Sequence, residues 1–569
     1  MSFADTFLAG YGEKKAESIV VPVSSDSPDL DYANGFIADN RDDLQRRLGN
    51  RQIQLIAIGG SIGTALFISI GGSLAKGGPA STFVAYTIYT LFLGLVNNGT
   101  AEMTVMMPVS GGFIRLAGHW VDDAWGFMAG WNFFLYEALL IPFEITALCT
   151  VLGYWSDHIP AAAVIAAAIV LYAILNILAV GLYGEAEFWL CGGKVILILL
   201  LYAFTFITMV GGNPQGDAFG FRYWSHPGAF VGRTSLAQFE GFLASLWAAS
   251  FCIVGPEYVS MVAGEAKRPR VYIKRAFKTL YWRFGFFFIL GSLCVGVLVP
   301  SNNKTLVDIF VKETVASGTA AASPYVIAMQ ILGIHGLPNL VNALLVTSIF
   351  SAGNTLTYCS TRSLYALALE GRAPAILRKC TKRGVPIVCF CVIMVFPCLS
   401  FLQLSHGSSQ VLTWLLNLIT AGGIIDYIVM CVTYLRFYAA CKAQGLDRRS
   451  LPYYGYFQPY AAWIALVWMV VIVLCYGYYS FDPWNVQDFF IYYAMIIVAV
   501  VLFAGWKLIK KTKWLSAHEI DLVWERPTID AYEATFIDEP VSFWREMVQL
   551  VGLGKRTGGN DQRTASISA

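Results

Sequence analysis

Residues 53–70 read IQLIAIGGSIGTALFISI, an apolar run with Gly59, Gly60 and Gly63 at its centre beside Ser61 and Thr64. Each glycine costs about 1 kcal/mol in a helix interior relative to alanine. Three within five residues therefore predict a helix that is interrupted. At mid-membrane an interruption leaves backbone N–H groups unpaired, which is tolerated only where protein or a polar cavity surrounds them. A row of N–H groups at a half-helix start, with the positive end of the dipole, suits a carboxylate. The same glycines also fit a plainer reading, close helix packing through small residues.

Around this stretch the 569-residue chain is 57% hydrophobic and 13% charged, against about 25% charged in soluble domains. That composition predicts an all-α, polytopic membrane protein surrounded by lipid. The formal net charge of +2 says nothing about partners, and no nucleic-acid partner is expected. About twelve apolar segments approach the ~20 residues a bilayer needs. They run at 52–76, 80–107, 126–155, 160–181, 188–212, 240–263, 281–300, 324–352, 385–403, 410–437, 460–480 and 488–509. The chain thus divides into an N-terminal tail (1–51), a transmembrane domain (52–509) and a C-terminal tail (510–569). Cysteines without CxxC or Cys/His spacing imply neither a metal site nor a disulfide framework.

Basic residues set the orientation. Arg46, Arg47 and Arg51 precede span one, Lys267–Lys278 follow span six, Arg372–Arg383 span eight, Arg436–Arg449 span ten and Lys507–Lys513 span twelve. With twelve spans these segments fall on one side, which places both termini in the cytoplasm. Asn303-Lys304-Thr305 is a glycosylation sequon, and it falls in an outer loop as glycosylation requires.

Span six repeats the device of span one: Gly255 and Pro256 interrupt FLASLWAASFCIVGPEYVSMVAGEAKRP, and Glu257 follows at once. Proline removes a donor and frees an earlier carbonyl, so the carbonyls of Phe251, Cys252 and Ile253 lose helical partners. Breaks five spans apart are what an inverted repeat of five plus five helices produces, with the site at the repeat interface. Free N–H groups on one span suit a carboxylate, and free C=O groups on the other suit an ammonium. A small molecule carrying both is an amino acid. The bland alternative for span six is a proline kink with no ligand.

The run LQRRLGNRQIQLIAIGGSIGTALFISIG at 44–71 resembles the opening of the fungal amino-acid permeases, the yeast amino-acid transporter family of the amino acid–polyamine–organocation superfamily. Further matches are EMTVMMPVSGGF at 102–113, IPFEITA at 141–147, FWLCGGK at 188–194, GPEYVSMVAGEAKRPR at 255–270 and SAGNTLTYCSTRSLYALALEGRAP at 351–374. The resemblance implies a LeuT-type fold of five plus five helices with two extra, and proton-coupled amino-acid uptake by alternating access at the plasma membrane. It also implies a carboxylate cradle at Gly59, Gly60, Ser61, Ile62 and Gly63 supported by Thr64, with Phe251, Cys252 and Ile253 on the amino group.

The ionisable residues within spans each have two readings. Lys194, in span five, either snorkels or, as the resemblance implies, stands where a sodium ion sits in sodium-coupled relatives. Glu102, Glu144 and Glu257 are proton carriers if buried, or structural partners of freed backbone donors and nearby arginines. Asn354 in span eight contacts substrate or bonds between helices. Glu137 lies two turns before Glu144 on one helical face; facing the site it favours cationic or quaternary-ammonium substrates, facing packing it says nothing. Ala65, where the family has glycine, and the polar pair Asn97-Asn98 are departures that keep an amino-acid sensor with little flux as an alternative. No nucleophile–base pair or metal spacing supports an enzyme, and no cofactor is expected beyond the proton as coupling ion. The tails, with EIDLVWERPTIDAYEA at 519–534, WREMVQLVGL at 544–553 and Lys14 and Lys15, are candidate sites for cytoplasmic trafficking partners.

Overall fold

Gly78 decides how the first two spans join. The helix Ile70–Met106 is continuous by hydrogen bonding but turns at Gly78 (φ 86°, ψ 172°), and Pro79 opens the second span beyond the turn. A side chain could not replace this glycine's hydrogen, because a Cβ there would lie 2.8 Å from the carbonyl oxygen of Ala229. The computed structural model describes residues 46, 48–61, 63–156, 159–178, 180–311, 323–381, 384–404, 408–481 and 483–536. Lys14, Lys15 and the segment 544–553 lie outside the described residues.

Span one comprises Asn50–Ser61 and, after a break, the wide turn Ala65–Ser69 continuing from Ile70 to the Gly78 turn. Spans three to five are Asp123–Leu152, Ala161–Leu178 and Val180–Met209. Span six is Ser235–Cys252 and Pro256–Met261, and span seven is Pro269–Leu298. Spans eight to twelve are Leu337–Leu369, Ile387–Leu404, Ser408–Ala443, Tyr460–Cys475 and Val486–Lys510. Among the described residues, ten helices are long and apolar enough to cross a membrane. The first half of span one and the shorter span four complete the twelve. The described residues form a nearly all-helical polytopic membrane protein whose first and sixth spans are both broken.

One expected boundary is corrected. Residues 324–352 do not form span eight: Pro324–Ile331 is a separate short helix, and the span runs Leu337–Leu369. Gly333 and Gly336, both with positive φ, break the chain between them, a conformation glycine adopts without penalty. The apolar count missed this because the later part of the span, rich in Ser and Thr, faces protein rather than lipid and is buried.

Span three is the axis of the bundle and packs against spans eight, ten and twelve; span one packs against five, six and eight. Large apolar side chains such as Val170, Leu171, Ile196, Leu199, Val467, Val500 and Val501 are exposed. They lie on spans four, five, eleven and twelve, the bilayer-facing rim. All twelve cysteines are free.

The face bearing the basic loops is tied together across long sequence distances. Leu48 donates to the Glu265 carbonyl and accepts from the Lys267 amide, both at 2.9 Å, so the segment before span one pairs with the end of span six. The C-terminal helix Arg526–Ala534 adds to this. Its Glu533 accepts from the Arg270 amide at 2.9 Å, Asp530 pairs with the Arg270 guanidinium, and Tyr532 donates to the Lys267 carbonyl at 2.9 Å.

Candidate functional site

The interruption in span one falls between Ser61 and Ala65. The first half-helix continues through Gly59, Gly60 and Ser61, so glycine alone does not end it. Past the break, the Thr64 amide turns to the Glu144 carboxylate. Ile62 and the Ser61 side chain lie outside what the structure describes. Gly63 is packed closely: a Cβ there would meet Glu144 Oε1 at 3.0 Å and the Ala352 Cβ at 3.1 Å. Thr64 Oγ1 donates to Glu144 Oε2 at 2.6 Å. Span three thus delivers a carboxylate directly to the break.

Span six breaks where the sequence predicts. The helix ends at Cys252 and resumes at Pro256. The i+4 donor of the Phe251 carbonyl is the Gly255 amide, which turns instead to Glu257 and donates to Oε1 at 3.1 Å and Oε2 at 3.2 Å. The i+4 position of Cys252 is Pro256, which has no N–H. The carbonyls of Phe251 and Cys252 therefore lose their i+4 helical donors. Phe251 sits edge-on to Phe143 of span three with ring centroids 5.7 Å apart. The halves of spans one and six pack on one another, and Ser245 of span six donates to the Ser73 carbonyl of span one at 3.3 Å.

Lys194 is fully buried and stands midway along span five, which excludes snorkelling. Its ammonium is within charge-interaction range of Glu144. One turn earlier, Cys191 donates to the Leu55 carbonyl of span one at 3.1 Å and lies 3.7 Å from Ser351 of span eight. Span five therefore joins spans one and eight beside the break.

Other expected residues separate by environment. Glu257 also accepts from the Tyr427 hydroxyl at 3.0 Å, so its carboxylate caps freed donors and still faces the bundle. Glu102 is fully engaged: Arg448 grips it at 2.7 Å through both Nε and Nη2, with Tyr434 and the Gly455 amide at 2.9 Å. This is the structural pairing the sequence allowed for it. Asn354 accepts from Asn176 Nδ2 of span four at 2.9 Å and so bonds between helices. Asn303 caps the short helix Lys304–Phe310, its Oδ1 accepting from Leu306. Asn97 donates to the Phe277 carbonyl at 3.3 Å and Asn98 to that of Tyr456 at 2.8 Å; both polar departures serve packing.

Glu137 faces the interior with 0% exposure. Asp426, in the apolar run AGGIIDYIVM of span ten, joins the same region and escaped the sequence reading. An ionisable residue inside a span is a functional candidate by default, so the signal was present.

An amino acid permease family model matches residues 52–519. A general amino acid permease of Saccharomyces cerevisiae is 44% identical over 504 residues, covering 86% of this chain and 84% of its own. A proline-specific permease of the same yeast is 36% identical over 493 residues, covering 84% and 78%. A lysine-specific permease, also from that yeast, is 32% identical over 511 residues, covering 88% and 82%. The match extends from the first broken span to beyond the twelfth and takes in both interruptions and the buried lysine between them, and on that ground the chain belongs to the amino acid permease family.

Proposed function

We propose that the chain takes up amino acids across the plasma membrane, coupled to protons, by alternating access with both tails in the cytoplasm. One observation carries the reading. Two interrupted helices pack on each other, span one breaking between Ser61 and Ala65 and span six between Cys252 and Pro256, where helical backbone bonding stops. A zwitterion satisfies both at once, and water cannot do so without filling the bilayer centre. The names of the relatives, permeases for amino acids in general and for proline and lysine in particular, agree with it.

Coupling follows from the neighbours of span one. Glu144 touches the break through Thr64 and lies within charge range of Lys194. A proton gained or lost at either group changes the charge beside the cradle, and a ligand drives the cycle only by binding the two states unequally. Uptake into vesicles with an imposed pH step, sodium being replaced, tests this. Uptake should follow the pH step and ignore sodium; uptake that follows sodium would remove the coupling role from Lys194 and Glu144.

A further inference from the structure

The segment 517–536 crosses the face bearing the basic loops and fastens at its two ends to different parts of the bundle. Its first part holds to the side of spans three, eight and ten. Gln444, at the end of span ten, donates to the Ala517 and Ile520 carbonyls at 3.1 and 2.7 Å, and Trp120 donates to that of Asp521 at 3.0 Å. Trp524 stacks on His119 with ring centroids 3.8 Å apart, and Glu525 pairs with Arg115 at 3.6 Å. His119 and Arg115 lie on the short helix Gly112–Trp120 ahead of span three and also bind Glu370, just past span eight. The second part holds to the broken spans. Besides the contacts of Asp530, Tyr532 and Glu533 with Lys267 and Arg270, the Arg46 guanidinium stands over the Tyr532 ring at 5.1 Å and that of Arg268 over the Phe536 ring at 5.0 Å.

These two sides are the ones that must part for the site to open towards the basic face. The half-helices Asn50–Ser61 and Pro256–Met261 run between that face and the breaks, and Leu48 joins their ends. Against span eight they are closed by the buried pair Glu265–Arg362 at 2.9 Å. The segment 517–536 spans this same joint from outside. Its hold is built to release. Ile520, Leu522 and Ile529 are buried in one apolar cluster with Met106 and Trp120, whereas the polar contacts with Arg270 are made by a half-exposed Asp530, and exposed ion pairs are individually weak. The helix Arg526–Ala534 has nine residues, fewer than the ~12–15 an isolated helix needs, so docking and folding of this end go together. Contacts made in one state and lost in the other bias the equilibrium between them.

We propose that residues 517–536 are a clasp across the exit on the basic face: docked, they keep the joint between span six and span eight shut, and their 530–536 end lets go before solute leaves on that side. The proposal rests on alternating access about the paired breaks. A native thiol reads the joint directly. Cys359 of span eight is fully buried, within charge-interaction range of Glu265 and Arg362. Cys294, buried in the far half of span seven, serves as the control for folding. In the purified full-length protein in lipid nanodiscs, the rate of N-ethylmaleimide addition at each cysteine is followed by peptide mass spectrometry. Two variants loosen opposite ends, the triple substitution Asp530→Asn, Tyr532→Phe, Glu533→Gln and the single Trp524→Ala. Each should speed modification of Cys359 on the order of fivefold, the equivalent of one or two exposed pairs, with Cys294 unchanged. An unchanged Cys359 rate in either variant overturns the clasp, because a strap fails when either end is freed. An equal rise at Cys359 and Cys294 also overturns it and assigns the segment to the stability of the whole bundle. Uptake of labelled amino acids into vesicles separates this from the transport reading. Faster Cys359 modification in a protein that accumulates none keeps the clasp and removes transport, whereas accumulation with Cys359 unaffected keeps transport and removes the clasp.

Discussion

Two sets of buried acids divide this protein. Towards the face with the basic loops the acids are paired: Glu265 with Arg362 at 2.9 Å, Glu102 with Arg448 at 2.7 Å, Glu370 with Arg115 at 2.7 Å and His119 at 2.8 Å, and Asp122 with Lys507. In the interior, among the described residues, no lysine or arginine acts on Glu137 or Asp426; their neighbours are other acids, Tyr258 and Asn132. A paired carboxylate keeps its charge throughout, because neutralising it strands the partner. An unpaired one can exchange what neutralises it. The first set ties distant segments of the bundle together; the second has no such tie to a basic residue. Both sets are buried and acidic, so burial alone does not distinguish structure from function.

The largest test of this division concerns the break itself. Gly63→Val should abolish uptake while leaving surface expression intact, because its methyl groups have no room beside Glu144 and Ala352. Gly505→Ala on span twelve, where a Cβ meets nothing within 4 Å, should leave uptake as it is. Retained uptake in the first variant would separate the break from transport.

Next, stability should respond oppositely in the two sets. Arg362→Ala leaves Glu265 buried without its partner and should cost about 3–5 kcal/mol, read as a lower thermal unfolding midpoint in detergent. Asp426→Asn strands no basic partner and keeps an oxygen to accept from Asn132, so it should leave that midpoint unchanged or raise it. A large loss from Asp426→Asn would place it with the structural acids.

The smallest effect is a pH dependence at Glu370, just past the end of span eight. Burial works to raise its pKa, but the hydrogen bond from His119 and the charges of His119, Arg115 and Arg372 outweigh it and hold the carboxyl well below the usual range. A depressed folded value means the stabilisation is complete above the unfolded value of ~4.3. It is lost as pH falls through the folded value. The deficit of Glu370→Gln relative to the natural chain should therefore be full at neutral pH and shrink in acid, measured by unfolding midpoints across that interval. A deficit independent of pH would show that the carboxylate charge contributes nothing there.

Much of the site was legible because breaks in membrane helices need particular residues. Pro256 announced the span-six interruption by chemistry alone, and the structure ends the helix at Cys252. Span one was harder: glycines permit a break without fixing its place, and the helix persists through Ser61. Lys194 was recognisable as costly but not as buried, since its depth depends on where span five begins, and that helix begins at Val180. Asp426 was visible as a lone aspartate in an apolar span, yet its meaning depends on Glu137 and Glu257, far away in the chain.

By itself the sequence determined the class, most of the spans and the place of the span-six interruption. A bilayer requires each helix to satisfy its own backbone with about 20 apolar residues, and that demand is local. Only the tertiary structure decided which buried acids are neutralised. Glu102 and Arg448 are 346 residues apart, and Thr64 and Glu144 are 80 apart. Charge pairing in a low-dielectric interior is set by which side chains packing brings within a few ångströms, and that depends on the whole bundle rather than on any one span.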